Sequence, residues 1–179
     1  MNKPGDSALI RKCKNGDQRA FEALIIKYQK PVFNAAYRML HSSEDARDVT
    51  QTVFLKAFEN LDRYDPNFRF FSWIYRIALN ESIDCLKKQK RLGSLDREPE
   101  SDTGNAEDAA SAEQKSDIVQ MALMTIKQEY RSVIVLKHFL DCSYGEISEI
   151  LGIPEKKVKS RLYTGRQLLK DALKKSRLH

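Results

Sequence analysis

The sequence predicts an all-α protein: two small helical domains, an N-terminal bundle and a C-terminal helix-turn-helix domain, joined by a flexible acidic linker. Three observations lead there. Apolar residues recur three or four apart through most of the chain, the period of an amphipathic helix. Residues 93–118, GSLDREPESDTGNAEDAASAEQKSDI, interrupt that pattern with Gly, Pro, Ser and acidic side chains, a composition that cannot bury enough surface to fold. Charge divides at the same place: residues 1–92 carry 17 basic and 11 acidic side chains, residues 93–118 carry 2 and 8, and residues 119–179 carry 12 and 6. The predicted domains are therefore 1–92 and 118–179, with 93–117 as linker.

Length and composition exclude several classes. A chain of 179 residues can hold two real cores. No run of 18 apolar residues is present to insert in a membrane, and MNKPGDSALIRKCKNGD lacks the apolar centre of a secretory signal, so a cytoplasmic protein is expected. Cys13, Cys85 and Cys142 are odd in number and lack metal-ligand spacing, which predicts reduced, small apolar side chains. His41, His138 and His179 are scattered, and no catalytic residues, metal ligands or cofactor site are expected. The net charge of +6 suits a polyanionic partner bound in a salt-dependent way.

Taken in order, Asn15-Gly16-Asp17 ends a short first helix and starts a long one, in which Phe21, Leu24, Tyr28, Val32, Ala36 and Met39 recur at helical spacing. Pro31 predicts a kink or junction within it. Ser42 and Ser43 with Glu44 and Asp45 start the next helix, which should run to about Leu61. Its apolar arc (Ala46, Val49, Val53, Phe54, Leu55, Ala57, Phe58, Leu61) is wider than one core needs. Asp48 and Gln51 border the surplus beside Leu55 and Phe58. A second partner is implied, and the neighbouring Asp45, Asp48 and Glu59 favour a protein over DNA.

The stretch Arg63 to Arg91, RYDPNFRFFSWIYRIALNESIDCLKKQKR, concentrates six aromatics within twelve residues, interleaved with Arg63, Arg69 and Arg76. Rings for stacking and cations for phosphate suit single-stranded nucleic acid, each stacked base contributing about 1–3 kcal/mol. Asp65-Pro66-Asn67 breaks the chain, so Phe68 to Phe71 are expected on a loop whose rings clasp an extruded base. Trp73, Arg76, Asn80, Asp84 and Lys87 then form one polar stripe of a helix, while Phe71, Ile74, Ala78, Cys85 and Leu86 face a core. Phe68, Phe70, Trp73, Arg76, Asn80, Asp84 and Lys87 are the candidate single-strand contacts.

Beyond the linker, Val119 to Ile126 and Tyr130 to Leu140 read as two amphipathic helices. Ser143 and Glu146 make a capping box for a short helix to Leu151, Gly152 supplies a left-handed turn, and Pro154 fits the first turn of the next helix. Two helices joined by so short a Gly-containing turn match the helix-turn-helix pattern. On the second, Val158, Leu162, Gly165 and Leu169 line the inner side. Lys156, Lys159, Ser160, Tyr163 and Thr164 are placed toward base edges, and Lys157, Arg161 and Arg166 toward phosphates or internal ion pairs.

With these stretches in view, the chain resembles a bacterial RNA polymerase sigma factor of the extracytoplasmic-function (ECF) group. DARDVTQTVFLKAF (Asp45 to Phe58) is similar to the family helix that docks on the polymerase clamp. FSWIYRIALNESIDCLKKQKR (Phe71 to Arg91) is similar to the segment that reads and opens the minus-ten element, and SYGEISEILGIPEKKVKSRLYTGR (Ser143 to Arg166) to the minus-thirty-five reader. The resemblance implies that residues 1–92 and 118–179 correspond to sigma regions 2 and 4, and that Asp48, Gln51, Leu55 and Phe58 contact polymerase core. It implies further that Asn80 with the loop Pro66 to Phe71 holds a flipped base, and that Lys159, Ser160 and Tyr163 read duplex promoter DNA. An anti-sigma factor is an expected partner. A dimeric helix-turn-helix regulator would need neither the wide apolar arc nor the aromatic-basic stretch, and a nucleic-acid enzyme would need a carboxylate or His/Cys cluster that is not apparent.

Overall fold

The computed structural model describes residues 5–93 and 107–176, and every regular element among them is helical. In order these are α1 (Asp6–Lys14), α2 (Gln18–Leu40), α3 (Ser43–Glu59), a 3-10 turn (Leu61–Arg63), α4 (Phe70–Arg91), α5 (Glu107–Met124), α6 (Gln128–Ile134) continued by a π turn (Val135–Phe139), α7 (Tyr144–Leu151) and α8 (Glu155–Ser176). No described helix is long and apolar enough to cross a membrane.

The helix ends follow from local chemistry. Asp17 caps α2, its carboxylate accepting from the Ala20 N–H at 3.3 Å, and the Ser42 hydroxyl does the same for Asp45 N–H at the start of α3 (3.2 Å). Between them His41 takes the left-handed conformation (φ 54°) and donates its N–H to the Tyr37 carbonyl at 2.8 Å, closing α2. The helix runs on through Pro31 as one element and does not break there. In the C-terminal half the capping box of α7 is complete: Glu146 N–H donates to Ser143 Oγ (3.2 Å) and Ser143 N–H to Glu146 Oε2 (2.8 Å). Gly152 ends α7 at φ 63°, and Pro154 stands just before α8, its carbonyl accepting from Lys157 N–H at 2.8 Å.

Two departures from expectation have physical causes. Helix α4 starts at Phe70, so the expected loop through Phe71 is shorter and ends at Arg69. Helix α5 starts at Glu107, inside the expected linker. The segment EDAASAEQK is made largely of strong helix formers with acidic residues at the N-terminal end; its composition speaks against burial, not against helix. The earlier part of that linker, 94–106, lies outside the described residues.

Helices α2, α3 and α4 share one core. Ala36, Ala46, Ala57 and Ala78 are fully buried in it, and side chains that small let helix backbones approach closely, while Leu24, Met39, Val53, Ile74 and Leu79 fill the remaining space. The same cluster continues through Leu123, Ile134, Leu136, Ile147, Ile150 and Leu162 of α5 to α8. Here Gly165 is required by proximity: a Cβ on it would stand 3.1 Å from Ile134 Cδ1 and 3.4 Å from Tyr130 Cβ. Gly165→Leu should therefore overpack the α6–α8 contact and lower stability by about 1–3 kcal/mol, read as a reduced urea midpoint.

Candidate nucleic-acid and partner-binding surfaces

Helix α3 buries Ala46, Val49, Val53, Phe54 and Ala57 and leaves its other side outward. Leu55 and Phe58 are 58% and 56% exposed, and Asp48 and Gln51 are exposed beside them. The spacing 48, 51, 55, 58 keeps all four on one stripe. Phe58 is braced by an edge contact with Phe21, ring centroids 5.1 Å apart. Apart from that contact the stripe stays open, with more than half of each side chain exposed, so the surplus apolar arc is outward-facing.

The second surface lies on α4 and the loop before it. Asn80, Asp84 and Lys87 are exposed, Trp73 is half-buried, and Phe68 is 51% exposed on the loop. The loop is held from beneath: Tyr64 Oη donates to the Phe68 carbonyl at 2.5 Å and Asn67 N–H to Asp65 Oδ1 at 2.9 Å. Phe70 does not join this surface. It is 2% exposed, its ring packed between Tyr28 (5.5 Å), Tyr64 (5.7 Å) and Trp73 (5.6 Å), because the earlier helix start turns it onto the core face. The sequence-predicted stacking role for Phe70 is thereby corrected to a core role, and one side of Trp73 is likewise given to this aromatic nest. Beneath it, Tyr28 donates to Asp6 Oδ2 at 2.6 Å, and burial together with that carboxylate pushes the phenol well up.

Arg76 has a partner no local pattern announces. Its Nε donates to the Ile150 carbonyl (3.1 Å) and its Nη2 to the Glu149 carbonyl, both at the end of α7. Arg76, Leu79 and Asn80 from α4, with Ile150, Gly152 and Arg161 from the C-terminal half, line a cleft of about 430 Å³. Asp84 and Lys87 form an exposed ion pair at 2.9 Å, a contact of little net energy.

The third surface is the N-terminal half of α8. Lys156, Lys157, Lys159, Ser160 and Arg166 are exposed, Tyr163 is 69% exposed, and Thr164 is half-buried. Two of the predicted cations are partly committed within the fold. Arg161 is paired with Glu129 at 2.8 Å and ties α8 to α6, an internal ion pair, which is one of the two roles the sequence left open for it. Arg166 Nε donates to His138 Nε2 at 3.2 Å, and burial first, then the nearby Arg166 and Lys137 charges, hold His138 below its ordinary value.

Sequence reasoning missed Gln120 and Arg131, which are 1% and 4% exposed. Arg131 Nη1 donates to the Met39 carbonyl (2.6 Å) and Nη2 to the Met124 and Ile126 carbonyls (2.8 and 3.0 Å); burial pulls its guanidinium down to about 10. Gln120 accepts from Arg38 Nη1 at 3.0 Å and donates to the Tyr37 and Arg38 carbonyls (3.3 and 3.2 Å). Each looks locally like a surface residue, since the α2 carbonyls that it serves lie far off in sequence.

Comparison with known proteins adds the following. The Sigma-70 region 2 family matches residues 24–92 and the Sigma-70, region 4 family residues 116–169. The chain is 36% identical to the ECF RNA polymerase sigma factor SigW of Bacillus subtilis, over 92% of this chain and 95% of that one. It is 30% identical to the RNA polymerase sigma-H factor of Pseudomonas aeruginosa, over 94% and 93%. Among solved structures, CnrH in complex with the cytosolic domain of CnrY superposes with a TM-score of 0.76 at 27% identity, covering 94% of this chain and 97% of that one.

A pH dependence follows from Glu146. Its carboxyl is held below the ordinary 4.5 chiefly by the Ser143 backbone N–H, against the opposing effect of burial, with help from the Ser143 hydroxyl and from Arg69 at 2.7 Å. A depressed carboxyl stabilises the fold above its unfolded value and loses that contribution as pH falls through the folded one. The difference in urea midpoint between the wild type and Glu146→Gln should thus be full at neutral pH and close as pH drops below 4.5.

Proposed function

This chain belongs to the ECF group of RNA polymerase sigma factors, which direct promoter-specific transcription initiation, and from that premise we propose how its three surfaces divide the work. The outer stripe of α3, with Asp48, Gln51, Leu55 and Phe58, docks on polymerase core. The N-terminal half of α8 enters the major groove of the minus-thirty-five element, where Ser160, Tyr163, Thr164 and Lys159 meet base edges and Lys156, Lys157 and Arg166 meet phosphate. The stripe of α4 with Phe68, Trp73, Arg76, Asn80 and Lys87 captures bases of the minus-ten element as the strands part.

The observation that carries the α4 assignment is a polar stripe with outward Asn80 and Lys87, next to an exposed Phe68 on a hydrogen-bonded loop. Extruding a base costs a few kcal/mol, and stacking of about 1–3 kcal/mol per base offsets much of it. Nothing in this division of labour makes or breaks a covalent bond, so the chain acts as a binding factor and the polymerase does the chemistry. It works in the cytoplasm, where polymerase and promoter are. An outward apolar stripe on α3 also suits an anti-sigma factor, which would compete with polymerase for Leu55 and Phe58; that CnrH is solved with the cytosolic domain of CnrY supports a regulator of this kind.

In the reconstituted holoenzyme, the double change Trp73→Ala and Asn80→Ala should lower open-complex formation by about tenfold or more, measured by permanganate reactivity of the melted strand. Binding to a duplex carrying only the minus-thirty-five element should persist; equal loss in both assays refutes the strand-capture role. Leu55→Asp with Phe58→Asp should abolish co-purification with core polymerase while leaving the helical circular dichroism of the free chain intact.

A further inference from the structure

The support behind the strand-capturing rings converges on one side chain. Tyr64 stands between the 3-10 turn and the loop that precedes α4, and it is only 7% exposed. Its ring packs on Phe70 and Trp73, with centroids 5.7 and 5.4 Å away. Its hydroxyl reaches forward and donates to the Phe68 carbonyl at 2.5 Å. That carbonyl lies ahead of the first residue of α4, so the hydrogen-bond ladder of the helix does not serve it. The N–H of Phe68 donates to the Asp65 carbonyl (3.2 Å) and that of Asn67 to Asp65 Oδ1 (2.9 Å), while Pro66 fixes φ between them. Phe68 is thus tied on both sides of its Cα, yet its ring is 51% exposed.

A buried phenol asks only that its O–H find an acceptor. Tyr28, in the same aromatic nest, meets that need with Asp6 of α1 at 2.6 Å, away from the loop. Tyr64 directs its donor to the loop instead, so one side chain touches Trp73 with its ring and holds the Phe68 backbone with its hydroxyl. On an untethered loop the Phe68 ring would turn onto the apolar nest behind it, out of water. It would then have to be ordered afresh for each base, and the loop and side-chain entropy lost would weaken binding.

We propose that Tyr64 is a positioning residue for strand capture: through its ring and hydroxyl it keeps Trp73 and Phe68 presented together before a minus-ten base arrives. This rests on the α4 assignment above. The test uses the holoenzyme on a promoter with aminopurine, an adenine analogue that brightens on leaving the stack, in the minus-ten position of the captured strand. Tyr64→Phe keeps the ring and removes the hydroxyl. It should lower base extrusion about fivefold, the effect of one lost hydrogen bond, while binding to a duplex carrying only the minus-thirty-five element stays at the wild-type level. Trp73 is the single tryptophan of the chain, so an unmoved emission maximum in the free variant shows that the nest is intact. Tyr28→Phe is the control: it removes a buried hydroxyl from the same nest without touching the loop, and should lower the urea midpoint but leave extrusion unchanged. Asp65→Ala frees the loop from its exposed side and should reproduce part of the loss. If Tyr64→Phe shifts the Trp73 emission, Asp65→Ala decides in its place, and undiminished extrusion there refutes the proposal. With the nest intact, undiminished extrusion in Tyr64→Phe overturns it, and so does an equal loss in Tyr28→Phe, which would make the hydroxyl a stabiliser of the fold alone. Asn80→Ala in the holoenzyme tests the α4 assignment by itself. A loss there without one in Tyr64→Phe sinks only the role of Tyr64, whereas no loss there sinks the assignment.

Discussion

Backbone carbonyls at the ends of interior helices must find donors, and that requirement organises how the two halves of this molecule meet. The end of α2 is turned toward the C-terminal half, and Arg131, nearly inaccessible to solvent, answers it with one N–H to Met39 O and two more to the turn that joins α5 to α6. One guanidinium thus serves three carbonyls on two bodies. A lone buried cation would be costly, and these dipoles make the site tolerable; leaving each carbonyl unserved would cost about 1–3 kcal/mol. The guanidinium remains charged, since burial lowers its pKa only to about 10.

The working surfaces follow from the same frame. Each of α3, α4 and α8 has an inner side fixed by small or branched apolar residues, so its outer side is held at a defined angle. Rigid backing explains how Leu55 and Phe58 stay presented on α3, the latter braced at one edge by Phe21. It also explains why the loop before α4 is narrow in its freedom: Tyr64 is locked between Phe70 and Trp73, and its hydroxyl holds the Phe68 carbonyl. On α8 the lysines are exposed at the N-terminal end, Lys159 lying 4.0 Å from Glu155 and over the Tyr144 ring, while Arg161 and Arg166 reach back to Glu129 and His138. Exposed lysines supply salt-dependent attraction to phosphate, and the contacts of Arg161 and Arg166 tie α8 to α6 and the π turn.

Local signals in the chain were enough to specify the helices and most of their ends. Asp17, Ser42, Ser143 with Glu146, and Gly152 act on their immediate neighbours, and the periodicity of α2 and α3 selects which side is buried. Those rules depend on contacts within a few residues. For that reason the outward stripe of α3, the exposed lysines of α8 and the polar stripe of α4 could be placed from residue types alone, together with the expectation of a nucleic-acid partner.

What required the folded molecule was anything decided by residues far apart in the chain. Phe70 and Phe68 are alike in composition and neighbourhood, yet a helix start at Phe70 sends one ring into the Tyr28–Tyr64–Trp73 nest and leaves the other exposed. Gln120, Arg131 and Arg76 have the profile of surface residues, and only tertiary packing brings them to carbonyls that lie 82, 92 and 74 positions away. Periodicity encodes which side of a helix is apolar, because that depends on repeated local spacing. The partner of a buried polar group depends on where two helix ends come to rest, and no local spacing records that.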